Sequence, residues 1–150
     1  MKPPAILYCH CQYARVLPEE LKHAVLRKLC ESGQPFEAVA DLCELSARKD
    51  PALARLAAAG PVKIAACFPR ALKWLFASAN APLSLENTEV VNLRSLTADD
   101  ACAALFNNEL SPNIPAGKET ISTAGAADGL RGSVALPATA NGSPEPVTAV

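Results

Sequence analysis

The chain has 150 residues, half of them hydrophobic, with a formal net charge of −1 and six cysteines. That is enough apolar material for one cored domain, and the near-neutral balance gives no electrostatic reason to expect nucleic acid or an anionic membrane as a partner. The candidate apolar stretch Pro61 to Cys67, itself interrupted by Lys63, falls far short of the roughly 20 residues a membrane span needs. The opening MKPPAILYC carries one Lys and two prolines where a signal peptide would place its long apolar region. A reducing cytoplasm is therefore expected, where cysteines serve as ligands, reactive thiols or core residues rather than disulfides.

Taken in chain order, four β-like runs alternate with helix-like segments. The first run, Ala5 to Cys9, leads through a loop into PEELKHAVLRKLCESG. Pro18 stands where a helix can begin, Leu21, Val25 and Leu29 recur on one face, and Gly33 stops the pattern. The second run, Phe36 to Leu42, ends at Cys43 and is followed by the helix DPALARLAAAG, with Asp50 as N-cap and Pro51 at its first position. The third run, VKIAAC, passes through Phe68-Pro69 into RALKWLFASAN, whose apolar stripe is Leu72, Leu75 and Phe76. Trp74 on the same segment is expected in the core. The fourth, TEVVNLR, precedes TADDACAALF, where Thr97 and Asp100 have capping-box spacing.

Strands alternating with short helices predict an α/β fold: a small parallel sheet of four strands with helices on both faces, Rossmann-like in its three layers. This domain is expected over residues 1–110. Residues 111–150 hold no aromatic, five of the seven glycines and five of the thirteen prolines. Such a segment buries too little to offset its ordering entropy and reads as a disordered low-complexity tail or linker.

The strand assignment changes how the cysteines read. Cys9 and Cys11 fall at the end of the first run, Cys43 just past the second, and Cys67 closes the third. In a parallel sheet all strand C-termini share one edge, the edge where open α/β sheets bind ligands, so these four thiols are predicted to converge. Helix N-termini following the strands point at the same edge and favour thiolates. Four thiolates without histidine suit a structural zinc or an iron–sulfur cluster. Cys30 and Cys102 lie inside helical segments and are expected as small core residues. His10, between two candidate ligands, should face away from both in an extended chain, and His23 belongs to the charged face of its helix. Pro69 reads as helix punctuation; Arg70 is a candidate for positive charge near a cluster sulfur or a solvated surface residue.

At these residues the sequence resembles the N-terminal domain of the A subunit of heterodisulfide reductases, the flavin-containing subunit of electron-bifurcating complexes. That family opens with a strand ending in Cys-x-Cys, has a lone cysteine after its second strand, and then an apolar strand running into Ala-Cys-x-Pro-Arg. The corresponding pieces here are LYCHC, ADLCEL and VKIAACFPRALKWLF, covering about residues 4–78. The resemblance implies a 4Fe-4S cluster held by Cys9, Cys11, Cys43 and Cys67, in an electron-transfer module of a larger redox complex. A redox partner protein carrying flavin or further iron–sulfur clusters is implied with it. Gln12 stands where the family usually has Gly, and Glu44 and Phe68 where it has small hydroxyl residues. Neither the Gly-x-Gly-x-x-Gly flavin fingerprint nor the ferredoxin-like Cys-x-x-Cys runs of the family occur, so flavin binding by this chain is not expected. Two other functions fit the same cysteines: a structural zinc interaction domain, and a thiol enzyme, a sulfur carrier or oxidoreductase using Cys9 or Cys11.

Overall fold

The computed structural model describes residues 2–116; residues 117–150, most of the expected tail, lie outside the described residues. The elements run β1 (Ala5–Cys9), α1 (Glu19–Glu31), β2 (Phe36–Val39), α2 (Leu42–Ala47), α3 (Pro51–Ala58), β3 (Val62–Ala66), α4 (Pro69–Ser78), β4 (Thr88–Asn92) and α5 (Ala98–Phe106). The four strands form one fully parallel sheet in the order β2-β1-β3-β4. This is the expected α/β architecture.

The alternation of side chains along β1 shows how the layers are assigned. Tyr8 reaches one face, where its hydroxyl donates to the Lys22 carbonyl of α1 at 3.0 Å. Cys9 points to the other, where its sulfur accepts the Leu42 N–H of α2 at 3.4 Å. Successive strand residues face opposite sides, so α1 and α2 cover opposite faces. Helix α5 packs on α1, while α3 and α4 join α2. Both faces being covered, β3 is buried at all five of its positions, and four of them are apolar, as a parallel central strand favours; the exception, Lys63, is paired with Glu89.

Local signals fix the helix ends. Asp50 caps α3 by accepting the Ala52 N–H at 2.9 Å, with Pro51 at the first helical position. Thr97 caps α5 through the Asp100 N–H, and its hydroxyl donates back to the Asp100 carboxylate at 2.7 Å. Gly33 and Gly60 take positive φ just beyond α1 and α3, a conformation that costs glycine little.

Three expectations are corrected. The second strand stops at Val39 rather than Leu42, and Leu42 instead opens the short helix α2, because Asp41 accepts the N–H groups of Cys43 and Glu44 and nucleates a turn. Trp74, expected in the core, is 66% exposed; Leu72 and Phe76 point inward, and a residue two positions from either lies on the opposite side of a helix. Cys30 is likewise exposed, one step past the inward Leu29, whereas Cys102 is buried as expected. On α1 the inward positions are Lys22, Val25 and Leu29, with Leu21 only half-buried.

Beyond α5 the chain returns along β4. The Asn113 side chain accepts the Val90 N–H and donates to the Val90 carbonyl, both at 2.8 Å, so an amide side chain occupies the outer edge as another strand would. The Ser111 N–H donates to Glu89, which pairs with the buried Lys63 at 3.3 Å, and Lys63 also donates to the Ala104 carbonyl. Residues 111–116, assigned above to the tail, thus begin against the sheet.

Core and surface positions on α4 predict opposite outcomes. Phe76→Ala removes a fully buried ring and should cost about 3–5 kcal/mol in urea unfolding. Trp74→Ala should stay within about 0.5 kcal/mol of the parent.

Candidate functional site

Parallel strands and their connections create a single crevice in this sheet. From β1 the chain leaves over the α1 face toward β2; from β3 it leaves over the α4 face toward β4. The two central strands therefore diverge at their C-terminal ends, which is the topological switch point where open α/β sheets hold ligands. Tyr8 and Ala65 are register partners, so one step on, Cys9 and Ala66 stand level across the crevice, with Cys11 and Cys67 just beyond.

The sulfurs meet there. Cys9 and Cys11 are both buried, and the Cys11 thiol donates to the Cys9 sulfur at 3.3 Å. Cys67 lies close enough to Cys11 for each thiol to shift the other's protonation. Cys43, in the first turn of α2, is exposed but close enough for the charges of Cys67 and Cys9 to act on it. The structure thus brings Cys9 and Cys11 into contact, with Cys67 beside them and Cys43 at the mouth of the same cluster.

Their protonation follows from these contacts. The Cys11 hydrogen bond draws the Cys67 thiol down to about 6, helped by the Phe68 N–H at the start of α4 and opposed by burial. Cys9 is lowered chiefly by the same Cys11 thiol, and further by the Leu42 N–H, against its own burial. Cys11 is correspondingly pushed far up, because it donates to both neighbours and is buried. Cys43 is raised by burial and by the Asp41 carboxylate. One proton, on Cys11, therefore serves two sulfurs that favour the thiolate.

The loop that carries Cys11 is held on three sides. Its residues continue the sheet pairing, with the His10 N–H donating to the Val39 carbonyl at 2.9 Å and the Gln12 N–H to Ala40 at 3.0 Å. Asp41 is buried, accepts the Cys43 and Glu44 N–H groups at 2.8 and 3.1 Å, and reaches the Tyr13 N–H at 3.5 Å. Lys22 donates to the Cys11 carbonyl and to the Glu19 carboxylate, each at 3.0 Å. Cys11 itself has φ of 49°, left-handed backbone that a non-glycine residue adopts only when its surroundings impose it.

His10 faces away from the sulfurs, as its place between them predicts: its Nδ1 lies 3.1 Å from the Tyr8 hydroxyl and its ring 5.8 Å from that of His23. His23 is exposed beside Glu19. Arg70 is exposed, and the guanidinium near Phe68 belongs instead to Arg94, 4.2 Å above the ring. Asp41 and Lys22 were absent from the sequence-derived site. Asp41-x-x-Glu44 has the capping-box spacing that could have announced α2, whereas nothing in sequence marks Lys22 as buried.

Among the described residues, no three His, Cys, Asp or Glu side chains already stand at metal-binding geometry. A tetrahedral zinc with Zn–S bonds of about 2.3 Å separates its sulfurs by about 3.8 Å, wider than the 3.3 Å between Cys9 and Cys11. A cluster, with each cysteine on its own iron, spreads them further still. Any metal centre here needs the Cys11 proton to leave and the sulfurs to part by side-chain rotation.

No protein-family profile, curated protein or solved structure matches the chain. The fold and site together define a doubly wound α/β domain with a cysteine cluster at its switch point. No helix among the described residues is long and apolar enough to cross a membrane.

The hydrogen bond from Cys11 gives a pH signature in the metal-free, reduced protein. Alkylation of Cys67 by iodoacetamide, followed peptide by peptide by mass spectrometry, should rise through a midpoint near 6 as the reactive thiolate forms. In Cys11→Ala the lowering partner is gone, so the Cys67 midpoint should move to higher pH.

Proposed function

We propose that the domain is an electron-transfer module that binds one 4Fe-4S cluster through Cys9, Cys11, Cys43 and Cys67. One observation carries this reading: residues from three separate strand-end loops deliver their sulfurs to the switch-point crevice. A core has no need of such convergence, and burying a thiol that favours the anion, as at Cys9, is costly unless a cation compensates it. The resemblance of LYCHC, ADLCEL and AACFPR to the heterodisulfide reductase domain favours iron–sulfur over zinc. The cluster supplies one-electron chemistry when bound; the chain's own part is ligation, orientation and shielding from water.

A module with a single centre passes electrons to a neighbour, so the reading includes a partner protein carrying flavin or further clusters. Tyr13, Val16 and Phe68 lie exposed on the two loops that frame the crevice and offer such a partner apolar surface beside the sulfurs. The free thiols fit a reducing cytoplasm.

A second reading, a thiol oxidoreductase or sulfur carrier, is favoured by Cys67, a half-buried thiol just before a helix that the neighbouring Cys11 draws toward the thiolate. It locates the nucleophile at Cys67 rather than at Cys9 or Cys11.

Anaerobic purification followed by iron, zinc and acid-labile sulfide analysis and EPR separates these functions. The cluster reading expects a brown protein with matched iron and sulfide, and a large loss of both in Cys43→Ala. One equivalent of zinc without sulfide would assign the structural zinc role. Metal-free protein with one rapidly alkylated cysteine would assign the thiol role.

A further inference from the structure

Lys22 is fully buried, at 1% exposure, although it lies on a helix whose other lysine, Lys28, is in contact with solvent. A buried ammonium is retained only where it is paired and hydrogen-bonded, and its two partners here are specific. It donates to the carbonyl of Cys11 and to the carboxylate of Glu19, each at 3.0 Å. Its own backbone carbonyl accepts the Tyr8 hydroxyl at 3.0 Å, which ties this turn of α1 to β1 one residue before Cys9. The cation is therefore fixed from both ends, backbone and side chain, against the loop that presents Cys9 and Cys11.

We infer that Lys22 is a positioning residue for the thiolate site, holding the Cys11 loop in its left-handed turn and setting the charge felt by whatever the sulfurs bind. The inference rests on the cluster reading and extends it to a residue outside the ligand set. Two effects follow from one side chain. The hydrogen bond to the Cys11 carbonyl offsets the backbone cost of φ 49° at that residue. The buried positive charge offsets the negative charge of a tetrathiolate centre, and favours its reduced, more anionic state. Glu19, two-thirds exposed, opposes the second effect and not the first.

The two roles are separable by substitution. Lys22→Gln keeps a hydrogen-bond donor and removes the charge; Lys22→Met removes both; Glu19→Gln removes the opposing carboxylate from an exposed position and should fold normally. In protein reconstituted anaerobically with iron and sulfide, the midpoint potential is read by EPR-monitored titration and iron loss by transfer to a chelator. The potential should fall in Lys22→Gln and Lys22→Met and rise in Glu19→Gln, opposite shifts that a merely structural role does not produce. Lys22→Met should also release iron faster, by about 10–100-fold, with Lys22→Gln nearer the parent. If Lys22→Met does not fold, the signs of the Lys22→Gln and Glu19→Gln shifts decide. Bound cluster with potentials unchanged, or shifted in the same direction, in those two variants overturns the inference alone. A parent protein that takes up no cluster overturns the cluster reading itself and this inference with it.

Discussion

The divergence of two adjacent parallel strands is the constraint on which the rest depends. β1 and β3 are neighbours, yet their following helices leave over opposite faces of the sheet. At their C-terminal ends no helix can fill the space between them, so a crevice opens there for purely topological reasons. Cys9, Cys11 and Cys67 are attached to the two strands that make the crevice, and Cys43 arrives on the turn after β2, next to β1. The site is a consequence of strand order before it is a matter of side-chain chemistry.

Electrostatics then works on what topology has gathered. The Leu42 N–H at the start of α2 meets the Cys9 sulfur, the Phe68 N–H helps draw the Cys67 thiol down, and the Cys11 thiol lowers both. Asp41 pulls the other way: it is needed as the cap of α2 and as a tether for the loop at Tyr13, but its charge raises the nearby thiols. Lys22 is the one buried cation at the loop. An acid that caps α2 and tethers the loop and a lysine that holds the Cys11 carbonyl together fix the backbone on which the sulfurs sit.

Much of the fold was legible because its signals are local. Asp50-Pro51 and Thr97-x-x-Asp100 announce helix starts through short-range hydrogen bonds, and VKIAA is apolar except at Lys63 because a central parallel strand is covered on both sides. Failures came where burial depends on partners distant in sequence. Trp74 and Cys30 have apolar side chains but stand on the outward side of α4 and α1, with nothing packed over them among the described residues. Lys22 has a polar side chain and is buried, because the Cys11 carbonyl and Glu19 satisfy it. Hydrophobicity alone ranks these three residues in the wrong order. The short helix α2 was overlooked for a different reason: its Asp41-x-x-Glu44 spacing follows directly on an apolar run that reads as continuing strand.

The sequence by itself determined the alternation of strands and helices, the parallel sheet, and the presence of four cysteines at strand ends, since periodicity, caps and chain order act over short range. Only the tertiary structure decided that the sulfurs of Cys9 and Cys11 touch, with Cys67 beside them, while Cys43 stays at the surface, and that a lysine from α1 bonds the Cys11 carbonyl. Those contacts join residues up to a sheet's width apart, and their distances depend on how β1, β3 and the flanking helices pack, which no local pattern encodes.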